Sequence, residues 1–218
     1  MTTPLDAATV DLMGVLAYGE LTAFERLATD ARLAPTIADK HALASMAAAE
    51  FEHYRCLVEH LRSAGVDPEQ AMAPFVAPLD GFHDLTPPND WLESIIKAYV
   101  GDGLATDFYR EVAAFVQDER TREVVLATLA DSGQASFAVA KVHEAVARDP
   151  AVAGRLALWA RRLVGEALIQ AQRVAVERDA LTELLVGGSG DLAGIARLLS
   201  RLTDNHTARM HALGLQAS

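Results

Sequence analysis

The sequence contains a single cysteine, Cys56, among 218 residues, and this scarcity excludes several classes of protein. One cysteine can form neither an internal disulfide nor a thiolate metal site. The start of the chain has no basic segment followed by an apolar stretch, so we expect no secretory signal. These absences together predict a cytoplasmic protein.

Long uncharged apolar runs and an excess of basic residues are also missing. No stretch of about 18 apolar residues is free of charge, so we expect no contact with a membrane. Lys and Arg number 19 against 30 Asp and Glu, and the net charge of −11 disfavours a protein that binds nucleic acid non-specifically. A hydrophobic content of 51% with 22% charged residues excludes disorder.

Apolar residues recur at helical spacing nearly everywhere, and no segment shows the alternation of a strand. The pattern predicts helices over roughly 6–30, 36–64, 90–115, 119–148, 150–186 and 191–214. Residues 66–88 contain five of the eight prolines and are predicted to form a long connection, and Gly187 and Gly188 are predicted to break the chain. Asp90 and Glu93 form a capping box, and Asp149 is a predicted N-cap.

The order of these segments is a helical hairpin, a long crossover, a second helical hairpin and two further helices. A four-helix bundle with one long crossover is the ferritin-like topology. We therefore expect an all-α fold, in which a single ferritin-like domain covers 1–218. Its antiparallel four-helix bundle would span about 6–148, with two additional C-terminal helices at about 150–214.

Glu50 and His53 are the most informative residues, because they lie three positions apart and project from the same side of a predicted helix. The face they share is otherwise apolar, with Met46, Ala47 and Leu57 around them. A carboxylate on a core face costs several kcal/mol unless something compensates it, and a metal ion is the usual compensation. A Glu-x-x-His pair inside a helical bundle is the half-site of carboxylate-bridged di-iron proteins.

Three further carboxylates complete a quasi-repeat of this half-site. Glu20, Asp102 and Asp131 each lie on a predicted core-facing stripe of their helix. Glu20 and Glu50 are 30 positions apart, and Asp102 and Asp131 are 29 apart, so the two hairpins place acids at matching depths. Glycines beside the acids predict room for dioxygen or a substrate: Gly19, Gly101, Gly103 and Gly133.

Gln134 breaks the repeat, because the second half-site should read Asp-x-x-His from Asp131. An amide oxygen is a weaker donor to iron than imidazole, so the second metal position could be weakened, empty or completed by water. Gln134 and His206 are therefore weak candidate ligands. Glu52 and Asp107 lie on more polar faces, and we expect both to be solvated. An arginine-rich run on the fifth predicted helix is interpreted as a solvated face rather than a phosphate-binding surface.

The chain resembles the actinobacterial branch of the ferritin-like superfamily that is related to tRNA 2-methylthio-N6-isopentenyladenosine hydroxylases. The matching motifs are Tyr18-Gly19-Glu20, Glu50-Phe51-Glu52-His53, Gly101-Asp102-Gly103, Leu129-Ala130-Asp131-Ser132-Gly133 and His206-Thr207-Ala208-Arg209-Met210. The resemblance implies a di-iron centre that activates dioxygen to hydroxylate the isopentenyl group of a modified adenosine. Its implied ligands and catalytic residues are Glu20, Glu50, His53, Asp102 and Asp131.

Three classes of function remain open. In the first, an oxidoreductase uses two irons, or one if the second position is lost, to hydroxylate tRNA or another substrate with a hydrophobic group. Glu50 and Asp131 would bridge the metals, Glu20 and Asp102 would be terminal ligands, and His53 would hold one iron. This class needs an external electron donor.

The second class is a binding or structural protein that has lost one or both metals, and the third handles iron or acts as a ferroxidase. The lone Cys56 excludes a rubrerythrin, whose electron-transfer module is rich in cysteine. The sequence leaves the oligomeric state open between a monomer and a homodimer.

Overall fold

The computed structural model describes residues 5–129, 133–189 and 192–216. Within these ranges the structure contains no strand and nine α-helices, which are α1 Ala7–Asp30, α2 Ile37–Ser63, α3 Pro68–Leu85, α4 Trp91–Ala113, α5 Glu119–Thr128, α6 Gln134–Arg148, α7 Val152–Glu177, α8 Asp179–Ser189 and α9 Leu192–Ala212. A short 3₁₀ turn at Ala31–Leu33 joins α1 to α2. None of the helices in these ranges has both the length and the hydropathy that a membrane span requires.

The first hairpin, α1 and α2, forms the most extensively packed helix pair. The Asp6 carboxylate accepts a bond from the Thr9 backbone N–H at 2.7 Å, and the Thr36 hydroxyl accepts one from Asp39 at 3.1 Å. These caps satisfy backbone donors that the first turn of a helix leaves without partners. Leu12 and Leu16 on α1 are fully buried, so the hairpin contributes one wall of the core.

The second hairpin consists of α4 followed by α5 and α6. The Asp90 side chain caps α4 by accepting a bond from Glu93 N–H at 2.9 Å, which confirms the predicted cap. α4 packs against α6, and α5 packs against α2. The all-α ferritin-like bundle is therefore confirmed, but its fourth helix is not continuous over 119–148 as predicted. Gly133, at a φ of 91°, begins α6 separately from α5.

The long connection predicted over 66–88 contains a helix that the sequence pattern did not predict, because α3 occupies most of that segment. Pro68 lies in the first turn of α3, where its missing N–H costs nothing, but Pro74 and Pro78 lie inside the helix. Phe75 is fully buried, and Met72 and Pro78 are buried beside it. Burial of this apolar face against α1 outweighs the unfavourable helix propensity of the prolines.

Gly14 sets the distance between α1 and α3. A Cβ atom at this position would lie 2.1 Å from the backbone oxygen of Ala71 and 3.2 Å from the Phe75 ring. Only a residue without a side chain allows the two backbones to approach so closely. This contact holds α3 against α1 at Gly14, about two turns of α1 before Glu20.

Lys97 holds the C-terminal end of α3 from inside the protein. Its ammonium donates to the Thr86 backbone oxygen at 2.7 Å, where a cation also interacts favourably with the helix dipole. Burial lowers the pKa of Lys97 to about 8, and burial beside Lys97 and Arg26 lowers the pKa of His83 to about 3. Neutral His83 is therefore the form that the folded protein favours.

The C-terminal helices differ from the prediction at their boundaries. The helix expected over 150–186 begins at Val152, with Ala151 rather than Asp149 at the cap, and is interrupted at Arg178. The Arg178 guanidinium donates two bonds to the buried Asp11 carboxylate on α1, which accounts for the interruption. α8 then continues to Ser189, so Gly187 and Gly188 do not break it as expected. The predicted cap at position 191 lies outside the described residues.

Candidate metal site

Glu20, Glu50 and His53 converge between α1 and α2. The His53 Nδ1 atom lies 3.5 Å from Glu20 Oε2 and 3.4 Å from Glu50 Oε2. One ligand atom from each of the three residues lies within 4.8 Å of the other two. The side chains are 12%, 6% and 21% exposed in the order Glu20, Glu50, His53, so the cluster is largely screened from water.

The local sequence explains why these polar side chains point inward. Glu50 and His53 are one turn apart on α2, and the neighbouring Met46, Ala47 and Leu57 on that face are buried. Glu20 follows the buried stretch 11–17 of α1 and faces α2 across the hairpin. The apolar periodicity of both helices therefore carries the two carboxylates and the imidazole into the same interior space.

The electrostatics of the cluster show how much the two carboxylates repel each other. Burial and the neighbouring Glu50 carboxylate raise the pKa of Glu20 to about 9. Burial also opposes the ionisation of Glu50, but its contacts with His53, Glu20 and Gln134 outweigh burial and lower its pKa. The facing carboxylates of Glu20 and Glu50 raise the pKa of His53 to about 10. In the absence of another cation, the site holds protons to balance its negative charge.

A divalent metal fits this donor set. The buried His53 Nδ1 atom has no hydrogen-bond partner, although it points between two carboxylates. An imidazole nitrogen and a carboxylate oxygen from α2, with a carboxylate oxygen from α1, form a ligand set that suits iron, manganese or zinc. A cation there would satisfy the nitrogen and neutralise both acids, which is the compensation that buried carboxylates require.

Gln134, at the start of α6, contacts the cluster from the second hairpin. The residue is 6% exposed, and its side-chain N–H donates a hydrogen bond to Glu50 Oε1. Gly133 precedes it in the left-handed conformation, which allows the chain to turn into α6 at this point. The amide that interrupts the quasi-repeat in the sequence therefore lies beside the predicted ligands.

The prediction that Asp102 faces the core is wrong, because its side chain is exposed. The buried residues of α4 include Ile95 and Tyr99 from the stripe predicted around Asp102, and also Ile96, Val100 and Asp107 from a neighbouring stripe. α4 packs against both α7 and α9. The burial of Ile95 and Tyr99 does not extend to Asp102, one turn further along the helix.

Of the two remaining candidates, His206 alone lies within the described residues. Asp131 lies in segment 130–132, outside the described residues. His206 is 8% exposed on α9, and burial and the nearby Arg209 lower its pKa. Among the described residues only Glu20, Glu50 and His53 form a group with the spacing of a metal site.

The sequence pattern predicted that Asp107 is solvated. This prediction is also wrong, because the residue is buried. Its carboxylate accepts a bond from the Arg209 guanidinium on α9 at 2.6 Å, with the two side chains 10% and 15% exposed. Gly103 makes the pairing feasible, because a Cβ atom there would lie 2.7 Å from Arg209 Cδ. The space beside Gly103 thus holds an arginine and not the dioxygen or substrate expected from the glycine pattern. Glu52, by contrast, is 63% exposed and pairs with Arg55, as expected.

A small apolar cavity adjoins the cluster on the α6 side. Its walls include Leu27, Met46, Ile95, Phe137 and Gln134. Gln134 contributes both to this cavity and to the contact with Glu50. With a volume of about 10 Å³, the cavity has room for about one water-sized molecule beside Gln134.

Comparison with known proteins places the chain in a family. Residues 4–188 match the family model described as "Ferritin-like domain, actinomycetes". No curated protein matches the chain. The matched range contains α1 to α7 and all residues of the carboxylate cluster.

Proposed function

Because the chain belongs to the ferritin-like domain family of actinomycetes, we propose that it is a metal-dependent oxidoreductase that hydroxylates an apolar group with dioxygen. The metal would be iron, held by Glu20, Glu50 and His53. The observation that carries the proposal is the convergence of Glu20, Glu50 and His53 in the interior, with the His53 Nδ1 atom 3.4–3.5 Å from both carboxylates. A cation held by the three groups would replace the protons that otherwise balance the two acids.

Each residue of the cluster has a definable task. Glu20 and Glu50 supply the negative charge that balances a divalent cation, and His53 supplies a nitrogen donor through Nδ1. Ferrous iron bound there would supply the electrons with which dioxygen is first reduced. The adjoining cavity, at about 10 Å³, has room for only one water-sized molecule, so an apolar substrate group would enter only if its walls moved apart.

The reaction requires a second reductant to balance. Insertion of one oxygen atom into a C–H bond consumes dioxygen, two electrons and two protons, and releases the hydroxylated product and water. An external electron donor of the ferredoxin or flavoprotein class would supply the two electrons, because the only cysteine, Cys56, provides no internal redox module. Because the external donor supplies both electrons, the bound iron is not consumed in the overall reaction.

The substrate proposed for the first test is the isopentenyl group of a modified adenosine in tRNA, which the sequence resemblance suggests. Of the five arginines in the run at 155–178, two are paired with acids, and Arg161, Arg162 and Arg173 are exposed. Arg155 pairs with Glu93 at 2.5 Å, and Arg178 pairs with Asp11. An apolar group carried by a smaller molecule is therefore an equally good substrate class.

A second candidate function, a ferritin-like binding protein with an empty site, is favoured by one observation. Gln134 donates to Glu50 and so offsets part of its negative charge without a metal. Iron handling of the ferroxidase type is the third candidate. It would consume dioxygen with ferrous iron but would hydroxylate nothing.

One experiment separates the three candidates. Metal-free protein is loaded anaerobically with ferrous iron and then given dioxygen, a chemical reductant and tRNA that carries isopentenyl-adenosine, and the nucleosides are analysed by mass spectrometry. We expect a hydroxylated nucleoside with the wild type and with Glu52→Gln, which changes an exposed carboxylate on the same helix, but not with His53→Ala. No product with the reductant, together with oxygen uptake that stops in a parallel sample without reductant once the added iron is oxidised, would favour iron handling. No iron binding at all would favour the empty-site protein.

A further inference from the structure

We propose that Gln134 makes this a one-metal site, because its side-chain amide takes the place that a second cation would occupy on Glu50. The inference rests on the proposed metal site and specifies its composition. In a two-metal site of this kind a carboxylate bridges the ions, with one oxygen directed to each.

The two oxygens of Glu50 have different partners in the structure. Oε2 faces His53 Nδ1 at 3.4 Å, on the side where Glu20 also lies. Oε1 accepts the hydrogen bond from the Gln134 amide instead. The first oxygen is therefore directed to the three-ligand cluster, and the second is already engaged by a neutral donor.

A neutral N–H donor can replace a cation in this role only partly. It satisfies one lone pair of Glu50 and orients the carboxylate, but it brings no full charge, and its amide oxygen is only a weak donor to a second ion. An imidazole or a carboxylate at position 134 would present a ligand atom at the same place. Residue 134 would thus decide between one metal and two.

The position is well fixed within the fold. Gln134 is the first residue of α6 and is 6% exposed, and Gly133 turns the chain into the helix with a φ of 91°. On α4, the carboxylate expected to serve a second ion, Asp102, is exposed. Within the described part of the chain, the residues with metal-site spacing are all on α1 and α2.

The test is the number of metal ions bound per chain, measured by equilibrium dialysis with manganese(II) and ferrous iron followed by elemental analysis. We expect one ion in the wild type and in Gln117→Glu, an added charge on an exposed residue outside the site. Gln134→Glu and Gln134→His should bind more than one ion, approaching two. Circular dichroism and thermal melting of each variant verify folding, and agreement between two variants of different size guards against a local packing defect.

The outcomes separate this inference from the proposed function. Two ions in the wild type, or one ion in the wild type with no increase in either folded Gln134 variant, would overturn the inference and leave the metal site intact. If the wild type binds no ion, the proposed function fails together with the inference.

Discussion

Replacing Glu20 by glutamine should make the metal-free protein more stable while abolishing its response to metal. Glutamine has nearly the same shape as glutamate, but it removes one of two carboxyl groups that are buried side by side. Burial raises the pKa of Glu20 from 4.5 to about 9, so the folded state binds a proton that the unfolded state releases between those values. Stability therefore falls as the pH rises through this window.

The magnitude follows from this shift. At pH 7 a carboxyl group with such a raised pKa lowers the free energy of unfolding by about 3 kcal/mol relative to an unshifted one. The net gain is smaller, because the glutamine variant loses the contacts that the protonated Glu20 carboxyl group makes with Glu50 and His53. We expect a net gain of about 1–2 kcal/mol for metal-free Glu20→Gln at pH 7. Below about pH 4.5, where both states of the wild type are protonated, the gain should disappear.

The assay is urea denaturation of chelator-treated protein, repeated with manganese(II). Metal that binds only the folded wild type should raise its free energy of unfolding by mass action, whereas Glu20→Gln should respond little. Glu52→Gln is the matched control, because Glu52 is exposed, and its substitution should change stability by less than about 0.5 kcal/mol. The reasoning is refuted if metal-free Glu20→Gln is less stable than the wild type while metal stabilises both proteins equally.

Three further predictions concern the fold around the site. Gly14→Ala should lower the free energy of unfolding by about 2 kcal/mol, because the new Cβ would lie 2.1 Å from the backbone of α3. Gly165→Ala is the control: nothing lies within 4 Å of its new Cβ, so it should raise the free energy of unfolding by up to about 1 kcal/mol in the same denaturation assay. Because the pKa of His83 is lowered to about 3, the contribution of His83 to stability should fall by about 1.4 kcal/mol as the pH decreases from 7.5 to 5.5, against the opposite trend from Glu20, and wild type and His83→Gln should differ by this amount in the same denaturation assay. Asp107→Ala should cost about 3 kcal/mol, because it leaves the Arg209 charge buried without its partner, and a loss below about 1 kcal/mol would show that the pair is solvated.

Local sequence signals predicted the parts of the site that depend on one helix. Glu50 and His53 share a face because of their spacing alone, and the burial of Ala47 and Leu57 follows from the same periodicity. The cap at Asp90 is likewise a local feature, since its side chain bonds to a backbone N–H three residues later. Such features require no knowledge of how the helices pack.

Features that depend on packing between distant helices were not predictable from the sequence. The apolar residues of α4 form two neighbouring stripes, and only the position of α9 decides that Asp107 is buried and Asp102 exposed. The partner of Asp107, Arg209, is 102 residues away. α3 was missed for a similar reason, because its prolines disfavour a helix that the tertiary contacts of Phe75 stabilise.

The most direct test of the metal site is an anomalous difference map from crystals of the protein equilibrated with manganese(II) or ferrous iron. We predict one strong peak between α1 and α2, about 2.0–2.3 Å from His53 Nδ1 and from a carboxylate oxygen of each of Glu20 and Glu50. The same map from His53→Ala should show no peak there. A wild-type map without density at these three residues, or with its metal peak elsewhere in the bundle, would contradict the assignment.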